Sequence, residues 1–437
     1  MKARRLGVLL LAGAVIAALA GCGAANASGK TDLVIWDPAL LNHVSDKGVV
    51  DKDHSFLTQA VAAYEKMNPN VSIKVVETSG DISKSSAQFQ AASIAKNGPD
   101  IRVSFAGGNT ISFSDFLLDL NGVFDKGTMS DLSGWNTVRQ GYKPNGKLDA
   151  LPIGAGSYFY VYYNKKTMAD AGVDMSKPPA DWSSLLDLAK KVKAAGKTPF
   201  FVANQEGYVG AWVIAALAGS ELGPDTFTKM YRGAIPIDDP TMVKAYTAYA
   251  QLYKDGLTNP DAGSVGNADS LAGFVQGKGA MYFSGGWDNA GLTQSLGDNV
   301  GAFPIPVLDG AKYPATLAGG PNVAVSITSY SKNPEAAKDF LRYLAKPSTI
   351  DLYVKLSQTE ASNSNKADPS VITNPLLKAQ AAGLKKIDNR VYPFDNVMAQ
   401  PVIDQFYKVN ATTFLGTTTP KQAVSTIEQA FKKESAQ

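Results

Sequence analysis

In the first part of the chain, segments with the apolar pattern of a β-strand alternate with segments that have the pattern of an α-helix. Residues 33–36 form a continuous apolar run, and residues 71–75 alternate between apolar and polar side chains, as β-strands do. Between these segments, apolar side chains recur at helical spacing over residues 57–67. Residues 85–96 and 101–105 continue as a second helix and a third strand. This β-α-β-α-β order predicts a parallel sheet with helices on both faces.

A second α/β unit is predicted further along the chain. Helical patterns cover residues 182–195, 208–218 and 240–254, and residues 199–203 read as a strand. Segments rich in glycine, proline or polar residues separate the two units and predict three crossings between them. The predicted boundaries are 31–153 and 307–356 for the first lobe, 157–300 and 362–437 for the second lobe, and crossings near 153–157, 300–307 and 356–362.

A tryptophan follows a strand within residues 271–289. A helix ends at Gly277, residues 279–283 form a short apolar strand, and the sequence Gly-Gly-Trp then ends at Trp287. In open α/β folds, ligands bind beyond the carboxyl ends of strands. The segment therefore predicts a binding site, and a core tryptophan after an ordinary turn is an equally good interpretation of these residues alone.

The composition is that of a soluble protein with a neutral surface. The chain has 437 residues, which is too long for one core and fits two domains. Its formal charge of +3 comes from Lys2, Arg4 and Arg5, and the rest of the chain has equal numbers of basic and acidic residues. Because no basic excess remains, the sequence predicts a neutral partner and no nucleic acid.

The N-terminus has the pattern of a secretory signal. Three cations precede an apolar run over residues 6–20, which is short for a membrane span of roughly 20 residues. The sequence Leu-Ala-Gly-Cys at 19–22 resembles a bacterial lipobox. We expect a signal peptide over residues 1–21, a lipidated Cys22 and a flexible tether over 22–30. Cys22 is the only cysteine of the chain, so no disulfide is expected.

The sequence offers little catalytic chemistry. Its only histidines, His43 and His54, lie in a polar loop, and no EF-hand loop, phosphate loop, GxSxG or HExxH motif is present. A glycosidase pair of carboxylates stays open, because 39 acidic residues offer many pairs. We therefore predict no metal and no cofactor.

Four motifs, in this order, resemble the family 1 (sugar-binding) extracellular solute-binding proteins of ABC importers, a family that includes maltose-binding protein. They are LVIW at 33–36, NGK-x(3)-LPIG at 145–154, GKGAM–GGW at 277–287 and NPEAAKDFL at 333–341. The resemblance covers nearly the whole mature chain. It implies an α/β, two-lobed periplasmic-binding-protein-like fold (type II), in which two α/β domains joined by a multi-strand hinge enclose a ligand cleft.

The resemblance also implies ligand-binding residues. An aromatic ring at Trp287 would stack on a pyranose, and Glu206 and Tyr208 would hydrogen-bond a sugar. Strand-end positions add Asp37 and Asn109. The remaining candidates are Asp288, Trp212, Gly319, Gly320, Asn322 and Asn396, of which Asp288 is also a possible helix cap and Trp212 a possible core residue. At 154–157, Gly-Ala-Gly-Ser replaces the acid expected for maltose, which predicts a different ligand.

The sequence thus predicts a monomeric sugar receptor and no enzyme. Its partners would be a carbohydrate, the ABC permease with its ATPase, and the membrane through Cys22, on the extracellular face of the bacterial cytoplasmic membrane. Two alternatives stay open. One is a receptor of the same fold for a non-sugar solute, and the other is a surface glycoside hydrolase working through Glu206 and a second carboxylate.

Overall fold

A computed structural model describes residues 29–43, 49–154, 157–359 and 366–435. The predicted signal peptide, Cys22 and most of the tether lie outside the described residues. The strands are β1 (Thr31–Asp37), β2 (Val71–Glu77), β3 (Ile101–Phe105), β4 (Leu151–Pro152), β5 (Ser157–Asn164), β6 (Phe200–Phe201), β7 (Met281–Gly285), β8 (Val300–Pro304), β9 (Thr316–Gly320), β10 (Val323–Ile327) and β11 (Asn389–Val391).

The α-helices pack around two sheets. They are α1 (Phe56–Met67), α2 (Ile82–Ile94), α3 (Gly108–Ile111), α4 (Lys126–Asp131), α5 (Lys165–Asp170), α6 (Trp182–Ala194), α7 (Tyr208–Tyr231), α8 (Pro240–Lys254), α9 (Asn267–Val275), α10 (Asn289–Leu296), α11 (Pro334–Leu344), α12 (Pro347–Ser357), α13 (Pro375–Leu384), α14 (Gln400–Phe414) and α15 (Pro420–Ser435). Within the described part of the chain, none of these helices is both long and apolar enough to span a membrane.

The first sheet has the strand order β2-β1-β3-β10-β4. Strands β1, β2 and β3 are parallel, with Ile35 opposite both Val75 and Ile101, and this agrees with the predicted β-α-β-α-β unit. Strand β10 returns late in the chain and pairs antiparallel with β3 and β4. We call this sheet and the helices packed on it the first lobe.

The second sheet is built around the aromatic strand β5. Its order is β11-β9-β5-β7-β6, and β8 also pairs with β5. Because side chains alternate along a strand, Phe159 and Val161 enter one core cluster, whereas Tyr158 and Tyr160 enter another. We call this sheet and the helices packed on it the second lobe.

The second crossing does not lie near residues 300–307, where the sequence placed it. Strands β8 and β9 both pair with β5, so the chain stays in the second lobe up to Gly320 and enters the first lobe at Val323. Of the two prolines that suggested the crossing, Pro304 is the last residue of β8 and Pro306 lies two positions after it. The first crossing, between β4 and β5, and the third, after α12, both include residues outside those described.

Candidate functional site

A cavity of about 470 Å³ lies between the two lobes. This volume is within the range of about 300–1,000 Å³ that is typical of ligand sites. The first lobe and the crossing at β10 contribute Ala39, Leu40, Ile82, Phe105, Asn109, Asn322 and Val323. The second lobe contributes Tyr208, Trp212, Trp287, Asp395, Asn396, Gln400, Ile403 and Tyr407.

The second lobe's wall of the cavity is aromatic. The ring centroids of Trp212 and Trp287 lie 5.3 Å apart with an interplanar angle of 77°, and Tyr208 lies 6.3 Å from Trp287. Trp212 is only 2% exposed, whereas Trp287 is 37% exposed and presents its ring to solvent. We call these three rings the aromatic wall.

The sequence Gly-Gly-Trp places Trp287 in this wall for a steric reason. Strand β7 ends at Gly285, and the indole of Trp287 folds back over that residue. A Cβ atom at Gly285 would overlap the ring, so only glycine permits this approach. The ring then packs on Phe159 of the neighbouring strand β5, at 5.9 Å between centroids. Gly285 therefore allows the position of the Trp287 ring.

Helix α7 supplies the other two rings. Tyr208 and Trp212 are four positions apart and so project from the same face of the helix. Trp212 also packs on Phe159, with 5.3 Å between ring centroids. Phe159 is completely buried and contacts all three rings of the aromatic wall, so it supports them from the core.

A buried carboxylate, Asp395, stands behind the aromatic wall, and the sequence analysis missed it. The indole N–H of Trp212 donates to Oδ2 of Asp395 at 3.1 Å, and the hydroxyl of Tyr407 donates to the same oxygen at 2.9 Å. Asp395 is 7% exposed, and burial raises its pKa to about 6. Its other oxygen, Oδ1, is buried without a hydrogen-bond partner among the described residues.

Amide side chains border the cavity. Asn109 lies in α3, directly after β3, and its backbone oxygen accepts a hydrogen bond from the guanidinium of Arg102 at 3.0 Å. Oδ1 of Asn322 and Nδ2 of Asn396 are buried without hydrogen-bond partners in the described parts of the chain. Because unpaired buried polar groups are rare, these atoms are candidate contacts for a polar ligand.

The structure brings six of the sequence-predicted residues to the cavity. They are Trp287, Tyr208, Trp212, Asn109, Asn322 and Asn396. Their contact with a ligand stays a prediction. Trp212 combines both interpretations, because its ring is packed in the core while its edge reaches the cavity.

Three predicted acids do not line the cavity, because each is engaged elsewhere. Glu206 is exposed and accepts a hydrogen bond from the backbone N–H of Asn267 at 3.1 Å. Asp288 accepts from the hydroxyls of Tyr282 and Ser284.

Asp37 is 0% exposed and accepts from the backbone N–H groups of Leu40, Leu41 and Asn42. Burial, with a smaller contribution from Glu77, raises the pKa of Asp37 to about 7.

The two predicted glycines also lie outside the cavity lining. Gly319 and Gly320 pair with Tyr158 and Ser157 in the second sheet. A side chain at Gly320 would overlap the ring of Tyr392. The glycines therefore serve strand pairing and close packing in the structure.

Several lining residues carried no signal in the sequence. They are Ala39, Leu40, Ile82, Phe105, Val323, Asp395, Gln400, Ile403 and Tyr407. Gln400, Ile403 and Tyr407 share one face of α14 by their spacing of three and four positions, a pattern that core helices show as well. These three residues reach the cavity because α14 packs against α7, a tertiary contact that the local sequence does not show.

The charge of the lining is one-sided. Of the described residues that line the cavity, Asp395 carries the single carboxylate, and none is a lysine, arginine or histidine. No group of three or more potential metal ligands occurs among the described residues. The described lining of the cavity therefore combines aromatic rings and amide side chains with one buried acid.

Comparison with known proteins agrees with this architecture. A solved structure of a chitin oligosaccharide binding protein is similar over 93% of this chain and 100% of that chain, with a TM-score of 0.78 and 20% sequence identity. At this identity the likeness shows the fold, which confirms the predicted two-lobed type II arrangement.

The first relatives found by sequence match a smaller part of the chain. The sn-glycerol-3-phosphate-binding periplasmic protein of Brucella abortus (strain 2308) is 28% identical over 49% of this chain and 48% of its own length. The chain thus spans about half the length of these first relatives. The multiple sugar-binding protein of Streptococcus mutans is 22% identical over 80% of each chain.

The family model for "Bacterial extracellular solute-binding protein" matches residues 24–349, which is more than half of the chain. The match spans all five strands of the first sheet and the aromatic wall residues Tyr208, Trp212 and Trp287. The chain therefore belongs to the bacterial extracellular solute-binding proteins.

Proposed function

We propose that this protein is the receptor of an ABC importer, which captures a sugar or oligosaccharide between its lobes and delivers it to the permease. The observation that carries the proposal is the aromatic wall (Tyr208, Trp212 and Trp287) at an interlobe cavity edged by amide side chains. The C–H face of a sugar ring packs on aromatic rings, and amides hydrogen-bond its hydroxyls.

Contacts between the lobes supply the means of closure. Gly107 and Gly108 of the first lobe touch the backbone of residues 396–398 in the second lobe, and the hydroxyl of Tyr142 donates to the carbonyl of Val397. A ligand that touches both lobes favours the arrangement in which these contacts form. Closure by this route requires that the ligand bind the closed form more tightly than the open form.

The absence of basic side chains from the described lining and the buried acid Asp395 disfavour a phosphate ester as ligand, although the N-termini of α2, α7 and α14 border the cavity and the first relatives are named for glycerol phosphate. Phosphate sites in proteins use arginine, lysine or helix N-termini. Among the described lining residues there is no basic side chain. A non-sugar solute of neutral or cationic character is the alternative that this lining allows.

The lining also gives no support to hydrolysis. Glycoside hydrolases use two carboxyl groups that flank the scissile bond. The described wall of the cavity holds only Asp395, and Glu206 lies outside it. The proposed role is therefore binding and release of an intact sugar.

The test is calorimetric titration of the purified protein with a panel of mono- and oligosaccharides, followed by recovery of the ligand. Saturable binding in the micromolar range, about −8 kcal/mol, with intact sugar recovered supports the proposal. Binding of sugar phosphates in preference to the free sugars, or cleavage of the sugar, contradicts it. Glu206→Gln is the matched control, because it changes an exposed acid outside the cavity.

The lipid anchor belongs to the same proposal and is tested separately. The support for it is the signal-like segment 1–21 directly before Cys22, and two acyl chains suffice for stable anchoring. Cells that express the protein are expected to incorporate a labelled fatty acid into it and to retain it in the membrane fraction. Cys22→Ser is expected to abolish the label, and a labelled Cys22→Ser protein contradicts this part of the proposal.

A further inference from the structure

In the described part of the chain, the cavity is lined by one acidic side chain that is not paired with a basic one, and this arrangement favours a cationic ligand. Asp395 is a carboxylate buried in its wall, and no described residue forms an ion pair with it. Its two hydrogen-bond donors, Trp212 and Tyr407, are neutral side chains. The negative charge is therefore solvated by dipoles and is not neutralised within the protein.

Such a charge is costly unless a cation approaches it. Moving an ionised carboxylate out of water is expensive, and a counter-charge recovers much of the cost. Oδ1 of Asp395 has no hydrogen-bond partner among the described residues, and the backbone N–H groups of Asp395 and Asn396 favour the ionised carboxylate. Asp395 lines the cavity, so a donor on a ligand approaches the carboxylate from there. The described lining contains no cation that would compete for this position.

The rings around Asp395 add to the same preference. Tyr208, Trp212, Trp287 and Tyr407 all line the cavity. Aromatic faces carry negative partial charge and attract ammonium groups within about 6 Å. A neutral sugar gains only stacking from these rings, whereas a sugar with an ammonium substituent gains both stacking and a cation–π term.

We propose that the ligand is a sugar bearing a protonated amine, whose ammonium group binds at Asp395 against the surrounding rings. This proposal rests on the proposed function, which identifies the ligand as a sugar. The new element is the positive charge of that sugar. Asp395 is then the residue that determines specificity between an amino sugar and its neutral counterpart. The same charge excludes phosphorylated sugars.

The pH dependence follows from the groups that face Asp395. The neighbouring tyrosines Tyr208 and Tyr407 have pKa values well above the usual value because they are buried, so they stay neutral. Asp288 and Asp404 are the other acids near these rings. Since burial raises the pKa of Asp395 to about 6, affinity for an ammonium ligand falls as the pH drops through that value. At higher pH the affinity also falls once the amine of the ligand loses its own proton.

The experiment compares matched ligands on the full chain purified in detergent. Glucosamine and its β-1,4-linked oligomers are titrated beside the same sugars with N-acetylated nitrogens, which keep the rings and linkages but remove the charge. At pH 7 we expect the amine form to bind at least about tenfold more tightly. The ratio is expected to decrease as the pH falls from 7 to 5.

Two variants locate the effect. Asp395→Asn keeps an oxygen that accepts from Trp212 and Tyr407 and removes the charge, so the amine preference is expected to fall to about onefold. Glu206→Gln removes a charge from the same lobe outside the cavity and is expected to keep the full preference. Thermal unfolding of both variants checks that each is folded. The comparison of the amine and N-acetylated ligands on the wild-type protein does not depend on either variant.

The outcomes separate this proposal from the proposed function. Equal or tighter binding of the N-acetylated sugars, or an amine preference that survives Asp395→Asn, overturns the amino-sugar assignment and leaves the sugar receptor standing. Absence of binding by every sugar, charged or neutral, overturns both proposals together. A tenfold preference that disappears in Asp395→Asn and falls at low pH supports both.

Discussion

Two buried carboxylates, one in each lobe, show how similar groups take different roles. Asp37 ends β1 in the first lobe, and Asp395 lies behind the aromatic wall in the second. Burial raises the pKa of both, to about 7 and about 6. The difference lies in their side-chain donors, since among the described residues only backbone N–H groups donate to Asp37, whereas the side chains of Trp212 and Tyr407 donate to Asp395 in addition to nearby backbone N–H groups.

The donors determine what each acid can do. The three N–H groups around Asp37 belong to the loop that follows β1, so its carboxylate is engaged by the fold. The donors to Asp395 are Trp212 and Tyr407, which themselves line the cavity, and Oδ1 has no hydrogen-bond partner among the described residues. A buried acid next to a cavity is therefore a binding candidate when side chains hold it and one oxygen stays unused.

The walls in front of these acids differ in the same way. Among the described lining residues, the first lobe contributes the aliphatic side chains of Leu40 and Ile82 and a single ring, Phe105, whereas the second lobe contributes four rings. Aliphatic side chains exclude water but provide no π face for a sugar ring. We therefore expect most of the binding energy to come from the second lobe, with the first lobe acting as the closing surface.

Replacing Trp287 by alanine has the largest expected effect. An exposed aromatic anchor contributes about 2 kcal/mol or more, so the Kd for the bound sugar is expected to rise at least about thirtyfold. Titration calorimetry measures the change. Leu40→Ala on the opposite wall is the matched control, expected to stay within about fivefold. Equal losses from the two walls would contradict the comparison.

Adding a methyl group at Gly108 tests the closing surface. A Cβ atom there would overlap the carbonyl of Met398 in the second lobe, so Gly108→Ala is expected to disfavour closure and weaken binding by about tenfold. Calorimetry gives the Kd, and small-angle X-ray scattering gives the radius of gyration with saturating sugar. The control is Gly80→Ala, because nothing lies within 4 Å of a Cβ atom there. Wild-type affinity in Gly108→Ala would show that the bound form lacks this contact.

Tyr407→Phe removes one of the two donors to Asp395. Without this hydroxyl a smaller fraction of Asp395 is ionised at pH 7, so a roughly fivefold weaker Kd for the amino sugar is expected at that pH. Because that bond favours the ionised carboxylate, its loss raises the pKa of Asp395 and shifts the acid limb of binding to higher pH. Titrations between pH 5 and 8 measure both effects. Tyr253→Phe, whose hydroxyl contacts Pro260 outside the cavity, is expected to change neither.

Asp37→Asn has the smallest expected effect on binding, within about twofold, and acts on stability. Since the folded state raises the pKa of Asp37 from 3.8 to about 7, the contribution of Asp37 to wild-type stability is greatest at low pH and is lost as the pH rises between these two values. The upper bound of this loss is about 4 kcal/mol. Denaturant unfolding between pH 5 and 8 is expected to show a flatter profile for Asp37→Asn.

The exposed acid Asp298 provides the control for that profile. Asp298→Asn removes the same charge at the surface and is expected to keep the wild-type slope. If Asp37→Asn also keeps the full slope, the pH dependence comes from another buried group. A change of sugar affinity well beyond twofold in Asp37→Asn would contradict the structural role of this acid.

Much of the fold was predictable from local patterns. Alternating and helical periods identified the parallel unit β1 to β3, because each period reports which face of an element is buried. The Gly-Gly-Trp sequence identified the ring at the end of β7, since glycine after a strand signals a close approach. These features depend on neighbours in the chain and are therefore visible in the sequence.

Other features depend on residues far apart and were decided by tertiary packing. Trp212 and Asp395 are 183 positions apart, and no local pattern links them. The same applies to the second crossing, which the pairing of β9 with β5 moved to residues 320–323. The sequence by itself determined the two α/β lobes and the ring that marks the cleft. Only the tertiary structure decided which acid lies behind the aromatic wall, because hydrogen bonds between distant elements form only after the elements have packed.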